Sequence, residues 1–450
     1  MPYSEERLLS MRKNSTFTLP RLPFAIVLLG ANLAGAQPVQ VDAQLLQQLQ
    51  DTIQQQQAQL RKQAETLDAL QKQVNELKQA TGDAQGQAAQ ALTTAQQAVV
   101  ASQKAAPPAL IASGKEHIKV RLSGQVNRAL SFINDGKSTQ AYFVDHSTSG
   151  SRINLVATAK MSDDVSLGSR IELAITPDNS AQVSQSNQAP ADSFNQRWAE
   201  VSLKSNKWGK LSLGKGDTAT NTTAEVDLSG TLPIQNSSVA DLYYGMLFRE
   251  RAGDKALTSI KVSNAFSNQD GLHRESRFRY DTPRFYGFSL ATSAVSNRRS
   301  DAAVFWEGQG YGFKAAGAAA IANPNIDRAG NRYDGSFSVL HGESGLNLTL
   351  SAGLLERDNQ PDDRNLYGKL GWLASLNSFG NTAFVVDYTR SENLPAAHDV
   401  GHSVGAGIVQ LFDKYDTELY LLYRRYSLDR SSGARVENIT AGSVGARVRF

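Results

Sequence analysis

The last twelve residues of the chain alternate between apolar and polar side chains. In Ile439–Phe450 the apolar residues stand two apart, and mainly serine, glycine and arginine fill the positions between them. In an extended strand this spacing puts the two sets on opposite faces. A soluble edge strand can show the same alternation, but a membrane barrel requires it, because one face meets lipid and the other a wet lumen. The residues expected to close and assemble such a barrel are Val444, Ala446, Val448 and Phe450.

The same period of two recurs in many segments between Lys115 and Phe450. Ile153–Ala159, Leu167–Ile175 and Leu346–Leu354 are examples. Segments of about ten alternating residues have the length that a tilted membrane strand needs. Counting between the breaks gives about sixteen strands, and tight turns alternate with long polar links, as in outer-membrane barrels. The predicted fold is therefore an all-β transmembrane barrel of antiparallel strands over residues 117–450.

Residues 1–36 have the parts of a secretory signal. Lysine and arginine precede an apolar core, Phe24–Leu33, which is followed by the small residues Ala34-Gly35-Ala36. We expect cleavage after Ala36, because a core of about ten apolar residues is too short for a membrane anchor. Met11 would be a more ordinary start for such a signal than Met1.

A seven-residue repeat follows in the segment 37–106. Apolar residues at this spacing predict an α-helical coiled coil, and a single such helix buries too little surface to be stable alone. The segment therefore predicts self-association, although a disordered spacer rich in glutamine and alanine is the alternative. Pro107-Pro108 opens the linker 107–116. The core positions of the coiled coil are Leu46, Leu49, Ile53, Leu60, Leu67, Leu70, Val74 and Leu77.

Composition narrows the possible functions. The net charge of +3 is close to balance and gives no sign of a nucleic-acid partner. The chain has no cysteine, so disulfides and thiolate metal sites are excluded. His398 and His402 have the spacing of metal ligands, but they lack a nearby third ligand in the sequence. No nucleophile elbow, phosphate-binding loop or zinc motif is present, so neither a cofactor nor an enzymatic activity is expected.

Three predicted hairpins resemble those of the Gram-negative general porin family. They are Arg277–Phe288, with its Tyr-Asp-Thr-Pro-Arg-Phe-Tyr-Gly-Phe sequence, Phe194–Gly214 and Asp413–Tyr423. With the terminal phenylalanine, the resemblance extends over Val120–Phe450. It implies a homotrimer of sixteen-stranded barrels in the outer membrane, with outer-membrane lipid and the barrel assembly machinery as partners. It also implies that small hydrophilic solutes pass through the pore.

The long link Asp217–Lys255 is the candidate constriction of the pore. In the family the corresponding loop folds into the lumen, and its acidic candidates here are Glu225, Asp227 and Asp241. The opposing basic candidates on the wall are Arg152, Arg170, Arg197, Arg277 and Arg279. Acidic and basic groups on opposite sides would set up a transverse field that orients dipolar solutes.

Three features of this candidate constriction leave alternatives open. Arg197 shares its strand phase with Ala199 and Val201, so it fits a subunit interface as well as the lumen. Leu232–Gln235 stands where many relatives carry Pro-Glu-Phe, and Asp281 stands where some carry arginine, which leaves the ion preference open.

Passive diffusion through a trimeric pore is the leading hypothesis, with the coiled coil in the periplasm. There the coiled coil would reinforce the trimer or reach toward peptidoglycan. A substrate-selective channel for phosphate or carboxylates is the alternative, and it predicts arginines or lysines stacked along the lumen. A trimeric adhesin is disfavoured, because each chain here supplies a full barrel.

Overall fold

The computed structural model of the chain describes residues 117–450 together with Ile111–Ala112 and the pair Gln71–Lys72. Gln71 and Lys72 are helical and exposed. The predicted signal peptide, the core positions of the coiled coil and most of the linker lie outside the described residues. The described residues from Ile111 onward belong to one compact unit, Pro107–Phe450.

Alternating side chains produce a single antiparallel sheet that closes on itself. Its first strands are β1 (Ile111–Ala112), β2 (Ile118–Asn134), β3 (Thr139–Asp145), β4 (Arg152–Lys160), β5 (Val165–Thr176), β6 (Ser193–Ser205) and β7 (Gly209–Asp217). Two short strands, β8 (Leu247–Arg249) and β9 (Leu257–Lys261), form a separate hairpin. The remaining wall strands are β10 (Arg274–Asp281), β11 (Phe288–Val295), β12 (Arg299–Gly310), β13 (Phe313–Asn323), β14 (Ala329–His341), β15 (Leu346–Arg357), β16 (Asp363–Asn377), β17 (Gly380–Glu392), β18 (Val400–Phe412), β19 (Thr417–Asp429) and β20 (Ile439–Arg449).

The closed wall has sixteen strand positions, as predicted, although the sheet contains eighteen strands. The long strand β2 pairs with β3 along one half of the same edge and with β4 along the other half. β3 and β4 therefore share one position in the wall. β1 is the second extra strand, because it adds only a short pairing to β2, at Val120 and Lys119.

The barrel closes between β2 and β20. The two strands pair from Gln125 opposite Arg449 to Asn134 opposite Thr440. Beyond this ladder Phe450 and Gly124 exchange backbone hydrogen bonds of 2.8 and 3.0 Å. The ring of Phe450 lies so close over Gly124 that a Cβ there would be only 2.6 Å from it. A Cβ at Gly124 would also lie 2.7 Å from the backbone carbonyl oxygen of Arg152, so glycine is favoured at this position of β2.

The two faces of the wall differ as the alternation predicts. On β20, Val444 and Val448 are exposed on the outside, whereas Ser443 and Arg447 are buried on the inside. No helix among the described residues is long and apolar enough to cross a membrane. Exposed aromatic residues gather near the short turns, where an interfacial belt is expected. They include Trp208, Phe285, Tyr286, Tyr311 and Phe379.

The segment between β7 and β10 is longer than the predicted link Asp217–Lys255. Asp217 belongs to β7, and the segment runs from Thr218 to His273 before β10 begins. We call residues 218–273 the inner loop. It contains two 3₁₀ turns, Thr223–Glu225 and Val239–Leu242, the hairpin β8–β9 and the short helix α1 (Val262–Ala265).

Candidate pore constriction

The start of the inner loop is held by buried carboxylates. Asp301 on β12 accepts hydrogen bonds from the backbone N–H of Thr220 (3.1 Å) and from its hydroxyl (2.6 Å). Asp334 on β14 accepts from the hydroxyl of Thr223 and from the backbone N–H of Gly271 (3.1 Å). Because these inward side chains bind loop backbone, both ends of the inner loop are fixed to the same part of the wall.

The middle of the inner loop is held by two buried ion pairs. Lys369 on β16 lies 2.6 Å from Asp227, and both side chains are almost completely buried. Arg424 on β19 binds both carboxylate oxygens of Asp387, at 2.9 and 2.6 Å. The amide of Gln235 in the loop donates to the same carboxylate (2.6 Å). Asp227 is thus paired with a lysine, and its charge is balanced within the wall.

The far part of the inner loop reaches the closing seam of the barrel. The hydroxyl of Tyr243 contacts the hydroxyls of Ser131 on β2 and Ser443 on β20. Arg249 in β8 forms an ion pair with Asp135, 2.6 Å away, in the link after β2. Within the described part of the chain, no hydrogen bond or ion pair joins the inner loop to β4, β5 or β6. The inner loop therefore lines most of the barrel interior and leaves the strip formed by these three strands open.

Three carboxylates of the inner loop form an acidic cluster, Glu225, Asp241 and Asp270. Withdrawal from bulk water raises the pKa of Glu225 well above its usual value, and the neighbouring Asp270 and Asp241 raise it further. Burial also raises the pKa of Asp241 to about 6 and that of Asp270 to about 6. Backbone N–H groups of the loop bind Asp270, and the Arg274 guanidinium lies near enough to Glu225 and Asp241 to offset part of these shifts.

The arginines of β4, β5 and β6 lie across the lumen from most of the wall residues that hold the inner loop. Arg152 on β4 is close enough to Arg197 and Arg274 for mutual repulsion. Arg197 stands at a β-bulge in β6, where Trp198 pairs with Glu172 and Gln196 pairs with Leu173. The extra residue breaks the alternation, so Arg197 turns inward and lies 2.6 Å from Glu172. The alternative that Arg197 lies at a subunit interface assumed an unbroken alternation of side chains, which β6 does not have.

The other three predicted arginines differ in how free they are. Arg170 is held against the ring of Trp198, 3.8 Å from its centre, and remains about one-third exposed. Arg277 is buried and pairs with Glu200 at 2.5 Å. Arg279 pairs with Asp281 at 2.6 Å and donates to the backbone carbonyl of Thr218. Arg170 thus presents a charge to the lumen, whereas Arg277 and Arg279 mainly hold neighbouring groups.

Four site residues were not singled out from the sequence: Glu172, Asp270, Arg274 and Lys369. Glu172 carries a visible signal, because it shares the inward phase of Arg170. Lys369 is a lone cation among apolar strand residues, which in a membrane strand indicates an inward partner. Asp270 lies at the end of the inner loop and Arg274 is the first residue of β10. Both are beyond the predicted link, and no periodic pattern marks them.

A closed barrel of sixteen strand positions, apolar outside and narrowed by a loop within, defines an outer-membrane channel. The profile of the Gram-negative porin family matches residues 91–444. The chain belongs to this family, and it is an outer-membrane porin whose pore admits small hydrophilic solutes. None of the curated proteins compared with the chain by sequence matches it.

Solved structures share the barrel fold at low sequence identity. The anion-selective porin from Comamonas acidovorans is 18% identical, with a TM-score of 0.51, over 74% of this chain and 100% of that one. The outer-membrane protein OmpT of Vibrio cholerae, folded in vitro, is 13% identical, with a TM-score of 0.50, over 76% of this chain and 100% of that one. These likenesses concern the fold alone.

Proposed function

We propose that solutes cross this porin by passive diffusion between the acidic cluster of the inner loop and the arginines of β4–β6. The observation that carries the proposal is the distribution of fixed charge around the lumen. Glu225, Asp241 and Asp270 belong to the loop, whereas Arg152 and Arg197 belong to the strip with which the loop forms no hydrogen bond or ion pair among the described residues. Opposed charges across a narrow aqueous passage produce a transverse field, which favours dipolar, hydrated solutes.

Conductance in a planar bilayer tests this proposal. The full chain, extracted in detergent and reconstituted in KCl, is expected to give large steps with a linear current–voltage relation. A homotrimer would give these steps in groups of three. Insertion of folded barrels without measurable conductance would contradict the proposal, because the passage beside β4–β6 would then be closed.

An anion-preferring channel is the second candidate, and the excess of cations on the open strip favours it. Arg152, Arg170 and Arg197 share the carboxylate of Glu172 as a counter-charge. The next carboxylate, Asp217, is already paired with Arg274 at 2.9 Å. The acidic cluster opposite is partly neutralised near pH 6, since its carboxyl groups have raised pKa values. A reversal potential measured across a KCl gradient distinguishes the two candidates. Clear chloride preference at pH 6 supports anion selectivity, and potassium preference excludes it.

We also propose a homotrimer whose contact surface includes β2. Arg128 has the lipid-facing phase of β2, opposite Ala446 of the closing strand. It binds the carbonyl of Pro177 (2.6 Å) and the carboxylate of Asp178 (3.0 Å). An arginine facing lipid near mid-strand is costly, so a protein neighbour is the better environment for it. Cross-linking of a cysteine introduced at Val126, on the same face, would detect the contact.

The segments before the barrel complete the proposal. We infer a cleaved signal over 1–36, a periplasmic coiled coil over 37–106 that supports the trimer or reaches peptidoglycan, and a linker over 107–116. The family and the fold point to transport as the role of the barrel, and we infer no enzymatic activity. Mass analysis of the mature protein and the trimer's resistance to dissociation after removal of residues 37–106 test these assignments.

A further inference from the structure

A recess opens from the lumen on the open strip, between the arginines and the short-turn end of the barrel. We call it the Gly168 recess. Its volume is about 590 Å³, and inward residues of β4–β7 line it. Gly168 forms its floor, between Thr158 on β4 and Ser202 on β6, with which it pairs. A Cβ at Gly168 would lie 2.8 Å from the Ser202 hydroxyl, so the missing side chain is what keeps the recess open.

Positive charge predominates in this recess. At the lower end of the recess, which is the end nearer the short turns, Lys204 of β6 pairs in register with Lys210 of β7. The only lining carboxylate among the described residues, Glu200, is buried and already pairs with Arg277 at 2.5 Å, with Lys210 more distant at 3.4 Å. Lys204 has no ion-pair partner in the described part of the chain. The recess therefore carries more cationic charge than its own carboxylate balances.

The upper end of the recess holds a guanidinium in a fixed position. The guanidinium of Arg170 lies 3.8 Å from the centre of the Trp198 ring, its Nε donates to Asn154 (2.9 Å), and one Nη donates to Glu172 (2.5 Å). The remaining Nη hydrogens of Arg170 are not used in these bonds. A guanidinium held in this way loses little side-chain entropy when it binds an anion.

Neutral hydrogen-bonding groups lie between the two cationic ends. The hydroxyls of Thr158, Ser166 and Ser202 line the recess. Among the described residues none of these three has a hydrogen-bond partner in the protein. Hydroxyls that are free to donate and to accept match a solute that carries hydroxyl groups of its own.

We propose that the Gly168 recess is a binding subsite for small polyhydroxylated anions, of the sugar phosphate or sugar acid class. The proposal deepens the proposed function, on which it rests, because it assumes that solutes pass along β4–β6. The anionic group binds Lys204 and Lys210 or Arg170, and the sugar hydroxyls bind the threonine and serine hydroxyls. The subsite holds a solute after it has left the constriction on its way to the short-turn end, which is periplasmic in such barrels.

Concentration-dependent block of the ionic current tests the subsite, with glucose 6-phosphate as the probe on the intact chain. We expect saturable block by glucose 6-phosphate and by gluconate, and weaker block by inorganic phosphate or glucose alone, since each of these lacks half of the contacts. Block by inorganic phosphate as strong as that by glucose 6-phosphate would overturn the sugar part of the proposal. Block should also depend on the side of addition, because the recess lies nearer one mouth.

Two variants remove the subsite in different ways. The double substitution Lys204→Gln/Lys210→Gln removes the lower charges, and Gly168→Val fills the floor while every charge stays. Each should raise the half-blocking concentration about tenfold or more, the change expected when one or two charge-assisted hydrogen bonds are lost. Lys207→Gln is the matched control, because Lys207 lies in the adjacent turn 206–208 outside the recess, and it should leave the block unchanged.

The outcomes separate this inference from the proposed function. If the wild-type chain gives no conductance, the proposed function fails. If it conducts but shows no saturable block, the subsite alone is refuted. Block that survives both variants and disappears in Arg152→Gln would move the binding position to the constriction and overturn the inference. Loss of block in both variants, with block retained in Lys207→Gln, supports it.

Discussion

Arg197 and Glu172 form an ion pair of 2.6 Å that exists because β6 contains one residue more than β5 across the bulge. The same carboxylate binds Arg170 at 2.5 Å, so one buried glutamate fixes two lumen arginines. Without the bulge, Arg197 would point outward with Ala199 and Val201. A local irregularity of one strand thus adds a positive charge to the open side of the pore.

Replacing Arg197 should reduce the preference of the pore for anions. Arg197→Gln removes one of the cations that face the acidic cluster, and we expect the chloride-to-potassium permeability ratio to fall roughly two- to threefold at low salt. The effect should disappear at 1 M KCl, where the Debye length is about 3 Å compared with about 30 Å at 0.01 M. Reversal potentials across matched KCl gradients at both concentrations measure it.

Arg279→Gln is a control for this prediction, because Arg279 has its own carboxylate partner, Asp281, at 2.6 Å, whereas Arg197 shares Glu172 with Arg170. Removal of Arg279 should change the chloride-to-potassium permeability ratio less than removal of Arg197 does. An equal change in both variants, or a change that persists at 1 M KCl, would show that pore shape and not fixed charge is responsible.

Acidification should make the pore more anion-preferring. The pKa values of Asp241 and Asp270 are raised to about 6, and that of Glu225 is raised in the same direction. A raised pKa means that these carboxyl groups are ionised at pH 8 and become neutral as the pH falls through about 6. The basic strip stays charged throughout. Reversal potentials between pH 8 and pH 5 should therefore shift toward that of chloride, with a midpoint near pH 6.

The same titration has a consequence for stability. Because the folded-state pKa values of Asp241 and Asp270 exceed those of the unfolded chain, the contribution of these two carboxyl groups to folding stability is complete at low pH. It is lost as the pH rises through about 6.

Asp241→Asn should reduce the pH-dependent shift in selectivity. A shift of unchanged size in this variant would assign the titration to other groups.

Much of the barrel could be predicted because lipid and water impose a period of two on every wall strand. That period placed Arg170, Arg277 and Arg279 on the inward face of their strands, and counting the segments between breaks predicted about sixteen strands. A period of two could not predict the bulge at Arg197, because one extra residue does not change the composition of the strand noticeably. The pattern also could not predict contacts between residues far apart in the sequence, such as the ion pair of Asp227 in the inner loop with Lys369 on β16.

The Asp227–Lys369 pair should fix the middle of the inner loop. Both side chains are almost completely buried, so removing one partner leaves a buried charge without compensation. We expect Asp227→Asn to cost about 3–5 kcal/mol of local stability and to loosen the loop, which would appear as noisier open-channel current. The double variant Asp227→Leu/Lys369→Met, which removes both charges, should be less noisy than Asp227→Asn. Noise equal to wild type in Asp227→Asn would show that the pair does not restrain the loop.

The contact between Phe450 and Gly124 should govern closure of the barrel. The terminal ring covers the glycine, and backbone bonds of 2.8 and 3.0 Å join the two residues at the end of the seam. Phe450→Ala keeps those bonds and removes the ring, so we expect a folded barrel that forms more slowly. Gly124→Leu puts a side chain where the ring stands and should impair closure more strongly. Heat-modifiable mobility in gels, followed during refolding into lipid vesicles, measures both. Equal folding rates for wild type and Phe450→Ala would mean that the backbone bonds alone close the seam.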